Sequence, residues 1–89
     1  MVGGKVLPVP KATPQEIRDR LRLNLAAAFR RARDEAELTQ AQLAAHLGVS
    51  TASVSDVENG KQLVTLERLL LFCDLFGYRP DEVLLGERA

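Results

Sequence analysis

Five small or polar residues near the middle of the chain have the spacing of one face of a helix. At offsets of zero, one, four, five and eight they are Thr51, Ala52, Ser55, Asp56 and Asn59. If Val54 and Val57 point inward, this face points to solvent. Short side chains there would let the helix backbone approach the edges of DNA bases closely. An ordinary solvated face has the same pattern, so periodicity alone leaves both interpretations open.

Cysteine and histidine each occur once, as Cys73 and His46. A single thiol makes neither an internal disulfide nor a multi-thiolate metal site. Cys73 stands in a run of leucines and phenylalanines, which predicts a buried thiol, and His46 stands among alanines, which predicts a surface or packing role. With no metal-ligand set, phosphate loop or nucleophile–base pair, the sequence predicts no enzyme and no cofactor or metal.

A long first helix is expected from a strong capping sequence. Thr13 offers a capping hydroxyl, Pro14 takes the first helical position, and Glu16 follows three residues after the cap. Apolar residues then recur at three- and four-residue spacing to the end of the helix: Ile17, Leu21, Leu25, Ala28, Phe29, Ala32 and Ala36. This pattern predicts an amphipathic helix to about Ala36, with arginines on the opposite face.

Four shorter helices are expected after it. Their starts are Thr39, Ser50, Thr65 and Pro80, and their ends are Gly48, Asn59-Gly60, Gly77 and Leu85. The sequence therefore predicts an all-α domain over residues 13–89. Residues 1–12 hold two glycines and two prolines and are predicted to form a flexible N-terminal arm. Two helices of about eight residues joined by Gly48-Val49-Ser50 have the dimensions of a helix-turn-helix, at about residues 39–59.

Four linked segments resemble the lambda-repressor and Cro-like helix-turn-helix family, the xenobiotic-response-element type. They are Leu38-Thr39-Gln40-Ala41-Gln42-Leu43-Ala44, Leu47-Gly48-Val49-Ser50, Val54-Ser55-Asp56-Val57-Glu58-Asn59-Gly60-Lys61 and Thr65-Leu66-Glu67-Arg68-Leu69-Leu70. The resemblance runs from about Leu21 to Leu85. It implies a five-helix DNA-binding domain that acts as a dimeric transcriptional regulator on a palindromic operator.

The resemblance also implies roles for individual positions. Base-reading positions are Thr51, Ala52 and Asp56, with Ser55 on the same face; phosphate-contacting positions are Gln40, Asn59 and Lys61. Arg33 and Glu58 match an internal salt bridge, which gives Glu58 a structural role. Glu37 departs from the pattern, because the family commonly has glycine there, and we expect a strained or altered turn after the first helix. Asp56 also departs, since many members carry arginine, lysine or glutamine.

Charge is distributed unevenly although the chain is neutral overall. Residues 1–33 carry a net charge of plus six, and residues 34–60 carry five acids and no lysine or arginine. An acidic segment weakens binding to phosphates. The arm lysines, Lys5 and Lys11, and the first-helix arginines (Arg18, Arg20, Arg22, Arg30 and Arg31) could compensate by contacting DNA. Alternatively, these arginines pair along the helix surface with Glu16, Asp19, Asp34 and Glu35.

The fourth helix is apolar nearly all round. An inward stripe of Leu66, Leu69, Leu70, Cys73 and Phe76 would leave other large side chains uncovered. We therefore expect a two-fold homodimer through Leu71, Phe72, Leu75, Val83, Leu84 and Leu85. The alternative is that the long first helix folds back over this surface.

The first functional hypothesis is a sequence-specific repressor of the phage-repressor, antitoxin or restriction-controller kind. A dimer on an inverted-repeat site in double-stranded DNA would block polymerase. The alternative is a protein-interaction module whose helix-turn-helix face contacts a protein, such as a toxin. No apolar run approaches the ~18 residues of a membrane span, so we expect a cytoplasmic protein with no membrane partner.

Overall fold

The computed structural model describes residues 8–9 and 11–86. Within those residues the chain forms five helices and no strand: α1 (Pro14–Glu35), α2 (Gln40–Leu47), α3 (Thr51–Glu58), α4 (Leu66–Phe76) and α5 (Pro80–Leu85). The predicted all-α fold with an extended first helix is confirmed. Lys5 and most of the predicted arm lie outside the described residues, whereas Lys11 is described and exposed. None of the described helices has the length and apolar character needed to cross a membrane.

Side-chain caps begin the first four helices at the predicted residues. The Thr13 hydroxyl accepts from the Glu16 amide at 3.1 Å, and the Glu16 carboxylate accepts from the Thr13 amide at 2.9 Å. Thr39 and Gln42 form the same reciprocal pair at the start of α2. Ser50 and Thr65 cap α3 and α4. Because these bonds satisfy otherwise unpaired amides, local sequence fixes where each helix starts.

The core lies against the C-terminal half of α1. Its central contact is the stacking of Phe29 on Phe72, with ring centroids 4.6 Å apart. The other helices contribute buried apolar side chains around these rings: Leu43, Ala44, Leu47, Val54, Val57, Leu69, Cys73 and Val83. Residues 13–20 are all exposed. The expected apolar stripe of α1 is therefore wrong at Ile17, because the four short helices cover only the later part of α1.

The buried side of α4 differs from the predicted one. Leu69, Phe72 and Cys73 are buried, whereas Leu66 and Leu70, which we expected to point inward, are 75% and 54% exposed. Burying an aromatic ring removes more apolar surface from water than burying a leucine, so the helix turns Phe72 toward Phe29. Cys73 is a buried free thiol, as predicted, and burial raises its pKa.

Two residues assigned to the dimer surface are core residues, which corrects the prediction. Phe72 and Val83 are each 0% exposed and are unavailable to a second chain. Helix α1 covers Phe72 within one chain, as the alternative hypothesis held. Leu84 is partly buried against the core, and its carbonyl accepts from the Asn24 side-chain amide at 2.6 Å. The remaining three predicted interface residues are exposed: Leu71, Leu75 and Leu85.

Candidate nucleic-acid interface

A tight turn joins α2 to α3 and fixes their relative direction. Gly48 ends α2 with φ +69, a left-handed conformation that glycine adopts without a steric cost. The next amide, that of Val49, donates to the Ala44 carbonyl at 3.0 Å, and Ser50 caps the following helix. Val49 is packed against the core. These contacts set the angle between α2 and α3.

The inward side of α3 is apolar and the outward side carries the predicted base-reading residues. Val54 and Val57 are buried, as the periodicity predicted. Thr51 and Ala52 are exposed, and Ser55 and Asp56 are partly exposed. The structure thus brings these four side chains to one solvent-facing side of a helix held from behind by the core.

The buried Glu58 carboxylate ties α1, α2 and α3 together. Arg33 makes two hydrogen bonds to the Glu58 carboxylate, from Nε at 2.9 Å and from Nη2 at 3.0 Å. This side-chain hydrogen bonding raises the pKa of Arg33. The Gln40 amide nitrogen donates to the same carboxylate at 3.2 Å. The internal pairing of Arg33 with Glu58 has the geometry that the resemblance implied.

Gln40 keeps a donor for a ligand despite its bond to Glu58. An amide nitrogen carries two hydrogens, and Glu58 accepts one of them. Gln40 stands at the first position of α2 and is partly exposed. Its second hydrogen is therefore suited to an anionic oxygen near the start of α2.

Asn59 and Lys61 lie at the C-terminal end of α3. The Asn59 amide nitrogen donates to the Ser55 hydroxyl at 3.3 Å, and its oxygen accepts from Arg30 Nη2 at 3.4 Å. Gly60 has φ +71, and the Lys61 amide donates to the Asp56 carbonyl at 2.8 Å, which closes the helix end. The Lys61 side chain is exposed. Donor groups thus cluster at this end of α3.

Acidic charge in residues 34–60 is not concentrated on the outward side of α3. Glu58 is paired with Arg33 inside the molecule. Glu35 accepts a hydrogen bond from the Tyr78 hydroxyl at 2.9 Å, beside α4 and α5. Among the acids of α3, Asp56 is the one on the predicted base-reading side. Two of the five acids counted in the sequence, Glu35 and Glu58, are therefore bonded to partners away from this side of α3.

The arginines of α1 have different partners, and the sequence did not indicate which arginine would have which partner. Arg22 forms an ion pair with Asp19 at 3.5 Å, one of the predicted surface pairings. Arg31 lies over the Tyr78 ring, 5.3 Å from its centroid. Arg30 instead bonds to Asn59 at the end of α3. Arg30 precedes Arg33 by three residues, so the sequence indicates that both side chains lie on the same side of α1. The bond from Arg30 to Asn59 is seen only in the structure.

Comparisons with known proteins agree with this geometry. Residues 24–85 match the family described as a helix-turn-helix domain. The clp gene regulator ClgR from Corynebacterium glutamicum is similar in structure, with 34% identity, a TM-score of 0.64, and coverage of 73% of this chain and 69% of that one. A second crystal structure of ClgR gives 34% identity, a TM-score of 0.62, and coverage of 73% and 84%.

A more distant structure extends the likeness along the chain. The hypothetical transcription factor NHTF from Neisseria has 25% identity and a TM-score of 0.64, over 89% of this chain and 86% of that one. No curated protein is matched. The matched residues, the five helices and the Arg33–Glu58 pair together confirm the predicted family resemblance. The chain belongs to the helix-turn-helix domain family, in its lambda-repressor and Cro-like form.

Proposed function

We propose that this chain binds duplex DNA sequence-specifically and regulates transcription, with α3 in the major groove. The observation that carries the proposal is the outward side of α3, where short side chains are exposed on a helix held rigidly by the turn at Gly48. Donor groups stand beside its C-terminal end, on Gln40 at the start of α2, which bonds to Glu58, and on Asn59 and Lys61. The similarity to a clp gene regulator and to a hypothetical transcription factor supports the same function.

Base recognition is assigned to four residues on that side: Thr51, Ala52, Ser55 and Asp56. Thr51 and Ala52 are small enough to contact a thymine methyl group, and hydroxyls can bond to either donors or acceptors on bases. The Asp56 carboxylate accepts hydrogen bonds only, so we assign it to a cytosine amino group.

We assign three residues to phosphate contacts, which fix the position of the protein along the DNA. Gln40 donates its second amide hydrogen from the start of α2, and Asn59 and Lys61 act from the C-terminal end of α3. These contacts carry no sequence information. Substituting Gln40 or Asn59 by alanine is expected to weaken binding to all sequences alike.

A homodimer is the proposed binding unit. The exposed leucines of α4 and α5, Leu71, Leu75 and Leu85, with the partly buried Leu84, form the patch assigned to the second copy. A two-fold axis there would set two recognition helices about 34 Å apart, one turn of DNA, on an inverted repeat. Occupying such a site blocks polymerase, so we propose repression.

The N-terminal arm is proposed to add electrostatic contacts through Lys5 and Lys11. Removing residues 1–12 is expected to lower the salt slope of DNA binding by about two, because two cations are lost. The helical fold should persist, measured by circular dichroism, since residues 13–20 already stand clear of the core. Unchanged affinity after truncation would leave the arm without a role in binding.

Salt-dependent binding to a generic duplex tests the proposal. We expect log affinity to fall with log salt with a slope of several units, because several phosphates are contacted. Fluorescence anisotropy of a labelled duplex at four or five salt concentrations measures this slope. Flat binding, or no binding at low salt, would contradict DNA binding.

A protein-binding role is the second candidate, favoured by Asp56 on the outward side of α3 and by two exposed leucines on α4, Leu66 and Leu70. In that case the face of α3 contacts a basic protein partner, and substitution of Thr51 would leave DNA affinity unaltered. The same salt titration separates the two candidates, since a protein-binding module shows no slope on generic DNA.

A further inference from the structure

Arg30 lies on α1, outside the helix-turn-helix, yet it contacts the end of the recognition helix. Its Nη2 donates to the Asn59 side-chain oxygen at 3.4 Å, across 29 positions of sequence. The Asn59 nitrogen in turn donates to the Ser55 hydroxyl on the outward side of α3. A continuous chain of polar groups therefore runs from α1 to the proposed base-reading surface.

The acceptor of this bond matters for the charge of Arg30. Arg33 bonds to the Glu58 carboxylate and Arg22 to that of Asp19, so both cations are compensated by a close anion. The amide oxygen of Asn59 is neutral and leaves the Arg30 charge in place. A guanidinium has five N–H donors, and the bond to Asn59 uses one of them. Arg30 is exposed, so its other donors can reach a ligand.

The surface around Arg30 is an open groove between α1 and the end of α3. Leu23, Ala26, Ala27 and Arg30 line one side, and Glu58, Asn59 and Gly60 line the other, around about 280 Å³. Alanines at the nearest turn of α1 leave room beside the guanidinium. A strand of sugar and phosphate that reaches Asn59 would therefore pass within reach of Arg30.

We propose that Arg30 is a phosphate-contacting residue supplied by α1, which acts with Asn59 on the same stretch of the DNA backbone. This inference rests on the proposed function. It extends the DNA-contacting surface beyond residues 39–61 and supplies a cation beside residues 34–60, which have no lysine or arginine of their own.

Arg30→Gln and Arg31→Gln form a matched pair for the test. Both remove one positive charge from adjacent positions of the same helix, but Arg31 lies over Tyr78, on another side of α1. We measure affinity for one labelled duplex across a range of salt concentrations. Arg30→Gln should lower the slope of log affinity against log salt by about 0.9. It should also weaken binding at 0.1 M salt by a factor on the order of five to ten. Arg31→Gln should keep the wild-type slope.

Two further variants separate a direct contact from an indirect one. Arg30→Lys keeps the charge and should retain most of the slope. In an Asn59→Ala background, Arg30→Gln should still lower the slope, because Arg30 contacts phosphate itself. If the substitution has no effect in that background, Arg30 only orients Asn59, and the proposed contact is wrong.

The wild-type protein distinguishes failure of this inference from failure of the proposed function. If the affinity of the wild-type protein does not depend on salt, DNA binding itself is contradicted and the inference loses its basis. A normal wild-type slope with equal effects of Arg30→Gln and Arg31→Gln overturns only the Arg30 contact. Circular dichroism melting of each variant, with binding measured well below the lowest melting temperature, ensures that folded proteins are compared.

Discussion

Asp56 is the acidic side chain on the outward side of α3, and its negative charge would be repelled by the phosphates of DNA. It shares that side with Thr51 and Ala52, while Glu58 on the same helix is buried in its pair with Arg33. A carboxylate near phosphates costs affinity unless it accepts a hydrogen bond from a base. At the residue scale, the proposed function therefore assigns Asp56 a role in specificity and not in affinity.

Replacing Asp56 with alanine should change which base pair is preferred at one position of the site. The lost bond to a cytosine amino group is worth about 1–3 kcal/mol of discrimination. Selection of bound sequences from a randomised duplex library measures the preference of wild type and variant. Lys61→Ala is the control, because it should weaken binding without altering preference. Higher affinity for all sequences with an unchanged preference would show that Asp56 does not contact a base.

Glu37 adopts a conformation that the sequence comparison anticipated as a point of strain. Its φ is +56, in the left-handed region, where the family commonly has glycine. The Leu38 amide donates to the Arg33 carbonyl at 2.9 Å, so Glu37 stands at the position of a helix-ending turn that glycine usually occupies. A side chain at positive φ destabilises the folded state.

Glu37→Gly is therefore expected to stabilise the fold by about 0.5–1 kcal/mol, after the larger chain entropy of glycine is subtracted. Such a change raises the melting temperature of a domain of this size by roughly 2–8 °C. Thermal unfolding followed by circular dichroism measures it. Glu37→Ala removes the same charge but keeps the strained side chain, so it should melt near wild type. Equal stabilisation by both variants would mean that charge, not backbone strain, is the cause.

At the scale of elements, the Glu58 carboxylate holds α1, α2 and α3 in one arrangement. It accepts from Arg33 of α1 and from Gln40 of α2, and the Glu58 side chain is 2% exposed. Arg33 also donates to the Leu38 carbonyl at 3.2 Å, in the connection between α1 and α2. The angle of α3 thus depends on a charged group behind it as well as on the apolar core.

Glu58→Ala should destabilise the protein by about 3 kcal/mol, because it leaves Arg33 partly buried without its anion. Urea unfolding gives the free energy of unfolding. Asp34→Ala is the matched control, since it removes the same charge from an exposed position. A loss for Glu58→Ala no larger than that for Asp34→Ala would show that the pair contributes nothing beyond general electrostatics.

At the scale of the whole molecule, apolar side chains remain exposed after the core has formed. Leu71, Leu75 and Leu85 are 37%, 46% and 59% exposed on α4 and α5. Phe72 and Val83 do not add to this surface, because both side chains are buried in the core. The patch assigned to a second copy is accordingly smaller than the sequence suggested, and we expect the proposed dimer to form with moderate affinity.

Leu75→Glu should split the dimer without unfolding the monomer. An unpaired carboxylate at a desolvated interface costs several kcal/mol, whereas in the monomer Leu75 is already half exposed. Sedimentation velocity at tens of micromolar measures the oligomeric state, and DNA affinity should fall with it. Leu66→Glu changes a leucine of the same helix that is 75% exposed and lies outside the proposed patch, and it should leave the dimer intact. A wild-type monomer at these concentrations, or global unfolding of Leu75→Glu, would contradict the dimer through this surface.

Local sequence was sufficient for features that depend on a few neighbouring residues. The capping residues Thr13, Thr39, Ser50 and Thr65, and the left-handed glycines Gly48, Gly60 and Gly77, define the helix ends because hydrogen bonds within about four residues set them. The alternation of buried valines and exposed polar residues on α3 followed from helical periodicity alone. The family motifs also anticipated the pair between Arg33 and Glu58.

Contacts between distant segments were decided only by the tertiary structure. By periodicity alone, several sides of α4 are apolar enough to be buried. The side that contains Phe72 is the buried one because Phe29 of α1 stacks on the Phe72 ring. The same holds for Arg30, since its bond to Asn59 depends on the crossing of α1 and α3 and not on neighbouring residues. A repeating pattern specifies which residues share a face, but which face is buried depends on the shape and volume of the elements packed against it.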